Sequence, residues 1–448
     1  MASLVEVLLG LSSGKLAARA YTDQLLERIR ARDGRVFAFA HLDFGRARVL
    51  ADACDKRRLE GGVLGPLHGL PIALKDNFDT ADLRTEMGIA AYNNRQPTRN
   101  AVLVENIHAT GGFVIGKTVM SEAAFMKPAE TRNPWNPQHT PGGSSSGSAA
   151  AVAAGFVHAA IGTQTNGSII RPAAFCGVVG FKPSKGSISM AGAMQFSPTL
   201  DQVGFFTRSA ADACALAAPL VEGNPYPQQV AMPARLPRIG LLLDYPWSRV
   251  EPEARKKTAE VVRMLTAAGA SVTPLELSPR FSDAPTIHRL IMLHEGARQL
   301  QLLQEAARAR LSNELNEGLD EGRRISKASY GEALSRRMRL IESVGELFEN
   351  IDVLISPPAP GPAPARLDSA GDPGFCTLWT LLGLPAIVVP CAMAANGMPL
   401  GLQVIGPAQS DQAVLSIAHW MEAVIGAAVE RAIADAPRTK VSGPDGTS

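Results

Sequence analysis

Charge is scarce in this chain. Lys, Arg, Asp and Glu make up 19% of its 448 residues, against about 25% in an average soluble protein, as expected of a large body with a deep core. The net charge is +2 and no basic stripe runs through the sequence, which excludes the electrostatic footprint of a nucleic-acid binder. Cysteine is rarer still: Cys54, Cys176, Cys214, Cys376 and Cys391 are odd in number and scattered, with no CxxC pair and no histidine at ligand spacing. That excludes a disulfide framework and a zinc site, and predicts buried free thiols. No apolar run reaches the roughly 18 residues of a membrane span; the nearest, 149–161, is rich in small residues and broken by His158. The N-terminal MASLVEVLLGLSSGKLAARA lacks the basic start of a signal peptide and carries Glu6 in its apolar part, so it reads as a helix of a mature, cytoplasmic protein.

What the sequence does contain is alternation of helix and strand patterns. Two short amphipathic helices are predicted from Leu4 to Arg32, and another from Arg46 to Leu59 with Val49, Leu50, Ala53 and Cys54 on one face. Short apolar runs at Leu70–Leu74, Phe113–Gly116, His158–Ile161, Val178–Phe181, Arg238–Leu243, Ser271–Leu275 and Asp352–Ser356 read as strands. Helix patterns fall between them at Asn100–Thr110, Ala149–Phe156, Ala210–Val221 and Pro252–Ala268. This is α/β patterning around an internal sheet. Pro285–Glu349 is the longest helical stretch, with Leu334, Met338, Ile341, Val344 and Phe348 at threes and fours; it reads either as a covering layer or as a wall of the substrate pocket. After a Pro-rich loop, GFCTLWTLLGLPAIVVP and GMPLGLQVIG read as two core strands. The polar residues 435–448 show no periodicity and are expected to be disordered.

Two motif matches fail on context. GGFVIGKT, from Gly111 to Thr118, matches the phosphate-binding G-x-x-x-x-G-K-[ST] pattern, which needs a strand before its first glycine and a helix starting at the lysine. Here a helix pattern precedes the glycines and Phe113, Val114 and Ile115 are strand-like. GSSSG, from Gly143 to Gly147, matches the nucleophile elbow with Ser145 at its centre, but that elbow follows an apolar strand, and what precedes is TRNPWNPQHTPG. The histidines downstream, His158, His288, His294 and His419, sit in helix or strand patterns and read as structural.

The densest run of unusual sequence is Pro141–Ser187. Ser144, Ser145 and Ser146 lie between glycines, and a second Gly-Ser pair stands at Gly167 and Ser168; glycine flanks let a backbone approach a ligand closely. A serine hydroxyl becomes a nucleophile when a base takes its proton, and a neutral lysine can be that base. Lys75 ends the apolar run Leu70–Leu74. Neutralising an ordinary lysine at pH 7 costs roughly 4 to 5 kcal/mol, and burial lowers that cost; a lysine simply solvated past a strand end is the alternative.

Lys75 in GLPIALKDN, Ser144 in PGGSSSGSAAAVAAG and Ser168 in GTQTNGSIIRPAAFCGVVGFKPS resemble the amidase signature family of serine hydrolases. The spacing of 24 from Ser144 to Ser168 (168 minus 144) fits, as do GKTVMSEAAF, TRNPWNP, DVLISPPAPGPAP and LGLPAIVVPCAMAANGMPLGLQVIG, so the likeness spans most of residues 1 to 425. The resemblance implies one large α/β domain over 1–434, with a mixed central β-sheet covered by helices on both sides. It places the signature core at about 65–210 and a helical covering region at about 283–350. It makes Ser168 the acyl-accepting nucleophile, Ser144 a bridging serine held by a cis peptide bond in the turn with Gly142 and Gly143, and Lys75 the base acting through it. The amides of Thr165, Asn166, Gly167 and Ser168 would form the oxyanion hole, and Ser145 would hydrogen-bond and orient Lys75. No metal or organic cofactor is implied.

The chain departs from the family's GTDTGGSIR at Gln164, Asn166 and Ile170, so an acid and an arginine are both missing; losing both members of a pair can be nearly neutral. Asn166 suits a position of positive φ. Arg171 either holds structure or contacts an acidic substrate. Met120, Phe125, Met126, Phe175, Phe196 and Trp379 favour a hydrophobic or aryl amide, with carbamates and esters (a urethanase-like activity) as further substrates. Two other readings stand beside this one: a glutaminase subunit of a tRNA-dependent amidotransferase, and an inactive scaffold. Monomer and homodimer are both open.

Overall fold

The computed structural model describes residues 2–223 and 226–435. The expected disordered segment 435–448 lies outside these, apart from Asp435, which closes the last helix.

Ser3 and Glu6 cap the first helix reciprocally, each side chain taking the other's amide, which satisfies two donors that a first turn leaves free. Helices α1 (Leu4–Ser13) and α2 (Ala18–Val36) are followed by β1 (Phe39–Leu42) and α3 (Phe44–Leu59). The face of α3 differs from expectation: Ala47 and Ala51 are buried while Val49 is 67% exposed. Small side chains let α3 approach α2 closely, and the larger Val49 is left outside.

The chain continues through β2 (Pro71–Lys75), α4 (Val102–Ala109), β3 (Phe113–Thr118), α5 (Ser146–Ala153), β4 (Ala160–Gln164), α6 (Ile170–Cys176), β5 (Val179–Lys182), β6 (Gln202–Thr207) and α7 (Ala210–Ala217). Next come β7 (Arg238–Leu241), α8 (Pro252–Ala267) and β8 (Ser271–Pro274). A helical excursion follows, α9 (Ala284–Gln299), α10 (Gln301–Ala307), α11 (Asn313–Arg324) and α12 (Lys327–Ser343), and then β9 (Val353–Ser356), α13 (Gly374–Leu381), β10 (Ala386–Met393), β11 (Pro399–Ile405) and α14 (Asp411–Asp435). Four elements, β1, α6, β6 and α14, have no counterpart in the sequence reading. GFCTLWTLLGLPAIVVP begins as helix α13 before turning into β10, and Met338, expected on the inner stripe of α12, is half exposed while Ala333 and Leu340 are buried.

Among the described residues the eleven strands form a single mixed sheet in the order β1-β3-β2-β4-β6-β5-β10-β11-β9-β7-β8. Every residue of β2, β3, β4, β5, β6 and β11 is buried, which explains why all of these but β6 read as apolar runs. Strand β2 lies parallel to both β3 and β4, with Leu74 beside Ile161, so the carboxyl ends of β2 and β4 open at the same edge, where α/β sheets place their sites. No helix among the described residues is long and apolar enough to cross a membrane. All five cysteines are free, and all but Cys54 are buried.

Candidate active site

Lys75 is the last residue of β2 and is completely buried. Its Nζ donates to Ser144 Oγ at 2.9 Å, to Thr163 Oγ1 at 2.9 Å and to the Thr163 carbonyl at 3.3 Å. All three acceptors are neutral. Burial without a directly bonded carboxylate pushes the amine down to about 7, and the field of Asp201 opposes that shift. The parallel register that aligns β2 with β4 brings Thr163 to Lys75; Asn77, just beyond β2, donates to the same Thr163 hydroxyl at 3.1 Å.

The Gly143–Ser144 peptide is cis. Gly142 before it has φ +79, and a Cβ there would lie 2.8 Å from the Pro172 backbone, so only glycine fits. Arg171 donates to the Gly143 carbonyl at 2.8 Å and to the Gly371 carbonyl at 2.9 Å. It is a buried strut that joins α6 to the Ser144 segment, the structural one of its two expected roles.

Ser145 departs from expectation. Its hydroxyl donates to the Thr163 carbonyl at 3.1 Å, not to Lys75, because its side chain faces Gly162, where an added Cβ would lie 2.6 Å from Ser145 Oγ. Ser145 supports the Thr163 carbonyl that Lys75 also uses.

Ser168 sits on the turn between β4 and α6 and is 7% exposed. Its hydroxyl has no hydrogen-bond partner among the described residues, so the Lys75–Ser144 link is made in this structure and the Ser144–Ser168 link is not. The backbone amides of residues 165–168 also have no acceptor among the described residues. The next two amides are taken: Gln164 Oε1 accepts from Ile169 at 2.7 Å and Ile170 at 3.0 Å, while its Nε2 donates to Thr380 Oγ1 at 2.9 Å. A neutral amide therefore braces the turn, and Ile170 is buried in the core with no charge to answer. Asn166 does not use positive φ, contrary to expectation; Thr377 and Thr380 of α13 hold its side-chain oxygen at 2.8 Å and its carbonyl at 2.5 Å.

The expected pocket residues disperse. Trp379 is buried and donates to the Tyr245 hydroxyl, Phe175 packs with Ala359, Ala363 and Met398, and Met126 is 62% exposed. Met120 belongs to a satellite apolar cluster with Phe196, against which Phe125 stacks at 4.9 Å. That cluster adjoins the site, since Ser121 donates its amide to the Ser144 carbonyl at 3.1 Å. His288 of α9 donates to the Thr165 carbonyl at 2.9 Å and is pushed down to about 4 by burial, so it is a neutral brace. Thr163, Asn77, Asp201 and His288 escape a reading of the sequence as site residues; Thr163 lies inside GTQTNGS and Asn77 inside GLPIALKDN, and the other two carry no local pattern.

The rejected phosphate loop runs as strand from Phe113 to Thr118: Lys117 is buried in β3, 3.1 Å from the Asp76 carboxylate and bonded to Phe78 O and Thr85 Oγ1.

Comparison with known proteins gives the family and the fold. The amidase family matches residues 20–415. The A-type component of the glutamyl-tRNA(Gln) amidotransferase of Synechococcus sp. (strain WH7803) is 33% identical, over 92% of this chain and 95% of its own. A crystal structure of an amidase superposes with a TM-score of 0.86 at 31% identity, covering 95% of this chain and all of that one. The peptide amidase of Stenotrophomonas maltophilia does so at 0.81 and 29%, covering 95% and 97%. A buried lysine paired with a serine beside a Gly-Ser turn, on an eleven-stranded mixed sheet flanked by helices, thus sits on the framework of known amidases, and the chain belongs to the amidase family.

Proposed function

We propose that this protein cleaves a carbon–nitrogen bond through an acyl-enzyme on Ser168, with Ser144 and Lys75 as the proton relay. The observation that carries the reading is the fully buried Lys75, bonded only to neutral acceptors, with Ser144 Oγ at 2.9 Å. With its pKa near 7 a large share of the amine is free base at neutral pH. The amine takes the Ser144 proton as Ser144 takes that of Ser168, and Ser168 Oγ attacks the amide carbon. The tetrahedral oxyanion is received by the unpaired amides of 165–168, where single donors are typically worth about 3 to 4 kcal/mol. The relay returns the proton to the nitrogen as the C–N bond breaks, and water then displaces Ser168 by the same route. The Ser144–Ser168 bond absent from the free protein is one that substrate would tighten. In domain terms, the core at 65–210 supplies the chemistry and the helices at 283–350 brace it through His288.

The acyl group is the open part. With Trp379, Phe175 and Met126 outside the site, only the Met120, Phe125 and Phe196 cluster still supports an aryl or hydrophobic substrate. A second reading has firmer support: relatives aligned over more than nine-tenths of the chain are named as the A-type component of glutamyl-tRNA(Gln) amidotransferase. Read so, this chain is the glutaminase component of such a complex and works beside partner chains and tRNA.

The purified protein should be assayed on glutamine, a small carboxamide, an acyl nitroanilide, a carbamate and an ester, and its fluorophosphonate adduct mapped by mass spectrometry. Anilide turnover without glutaminase activity would remove the amidotransferase reading. Glutamine hydrolysis without anilide turnover would remove the aryl one. No adduct on Ser168 in folded protein would overturn both and leave the scaffold.

A further inference from the structure

One buried carboxylate next to the site has no part in the relay. Asp201, just before β6, is 3% exposed. Its Oδ1 accepts from the Thr165 hydroxyl at 2.5 Å, and its Oδ2 accepts from the amides of Phe196 at 2.7 Å and Ser197 at 3.1 Å. The Thr165 carbonyl is held from the other side by His288 Nε2. The residue that opens the turn leading to Ser168 is therefore gripped at both its side chain and its carbonyl.

We propose that Asp201 is a positioning residue for the acyl-transfer reaction, fixing through the Thr165 hydroxyl the run of free amides that ends at Ser168. The inference rests on the function proposed above. A merely structural carboxylate would need only its amide donors; this one also ties the 196–197 segment, next to the apolar cluster, to the nucleophile turn. Phe196 stacks on Phe125, so one carboxylate couples the wall beside the substrate to the oxyanion donors. The charged and titratable groups around it are Lys75 from β2, Lys185 from the loop after β5, whose ammonium reaches the Asp201 carbonyl, and His288 and Glu295 from α9; Arg337 of α12 faces Lys185. Burial pushes Asp201 up to about 6, and its negative charge favours the protonated form of Lys75.

The test uses Thr165→Val, Thr165→Ser and Asp201→Asn in the full chain, with kcat, KM, pH profile and Ser168 fluorophosphonate labelling measured on each. Thr165→Val should lower kcat about 10- to 100-fold with KM within about 3-fold, the signature of a lost transition-state interaction, and Thr165→Ser should restore most of it. Asp201→Asn should lower kcat and move the acid limb of the profile to lower pH, since Lys75 loses the neighbouring anion. Should Asp201→Asn fail to fold, the Thr165 pair decides alone. Wild-type turnover in Thr165→Val overturns the proposal. Failure of wild-type Ser168 to label would instead overturn the function on which it rests.

Discussion

Lys75 and Ser144, 69 residues apart in the chain, meet with Nζ and Oγ at 2.9 Å, and among the described residues neither has a carboxylate as hydrogen-bond partner. Burial among neutral partners favours the uncharged amine, the form the proposed relay requires, and Lys75 is the one hydrogen-bond partner of the Ser144 hydroxyl among the described residues. The pair gives the first expectation. In the proposed relay the free amine is the working form, and burial lowers its pKa to about 7, so kcat/KM should be small at acid pH, rise through about 7 and level off above it. Lys75→Ala should lose roughly a thousand-fold or more in rate while keeping its far-ultraviolet circular dichroism. A pH profile that is flat across this range would remove the lysine from the chemistry.

Ser144 and Ser145 are adjacent but face different atoms, one Lys75 Nζ and the other the Thr163 carbonyl. Ser144→Ala should abolish turnover with little change in stability. Ser145→Ala should lower stability by about 1 to 2 kcal/mol, the effect of losing its buried hydrogen bonds to the Thr163 carbonyl and amide, and keep turnover within about 10-fold. Urea denaturation and steady-state rates on both variants separate the roles; equal loss of rate would show that Ser145 acts on the lysine after all.

Lys117 and Asp76 form a buried pair at 3.1 Å, with side chains 0% and 2% exposed. Lys117→Met would strand the carboxylate and should destabilise the fold by about 3 to 5 kcal/mol, with Asp76→Asn in the same chain recovering part of the loss. Denaturant titration measures both. Isothermal titration of the wild type should show no ATP binding, because the lysine of GGFVIGKT points into this pair.

Gln164 braces the Ser168 turn as a neutral group, and Ile170 stands where the resembled GTDTGGSIR pattern has arginine. Gln164→Glu should place an unpaired carboxylate against Thr380 and destabilise by about 2 to 4 kcal/mol near neutral pH. Such a carboxyl has its pKa raised by burial, so the loss should be smallest at acid pH and grow as pH rises. Melting temperature against pH tests the sign, and adding Ile170→Arg should recover part of the loss.

Some features were decided by local sequence alone. Strands β2, β3 and β4 are short because each is a brief apolar run, and the charge that β2 and β3 carry at their ends, Lys75 and Lys117, interrupts that run visibly. The three residues of the proposed relay stand out for the same reason: serine among glycines and lysine at a strand end are rare, and their order and spacing resemble a known pattern; the structure joins Lys75 to Ser144. The excluded motifs failed on neighbouring residues, and β3 confirms that exclusion for Lys117.

Other features waited for the chain to close on itself. Whether Ser145 serves Lys75 or Thr163 depends on its side chain meeting Gly162 of β4; whether Arg171 meets substrate or braces Gly143 depends on how α6 crosses the Ser144 loop. Asp201, His288, Thr377 and Thr380 reach the turn before Ser168 from elements far along the chain, so no local period could announce them. Trp379 and Phe175 looked like pocket residues because apolar character is readable in sequence, while the partners each meets, Tyr245 for Trp379 and Ala359, Ala363 and Met398 for Phe175, are not. The sequence determined which residues stand out as candidates for the chemistry; the parallel register of β2 with β4, set by packing across the whole sheet, determined that Lys75 meets Thr163 and Ser144.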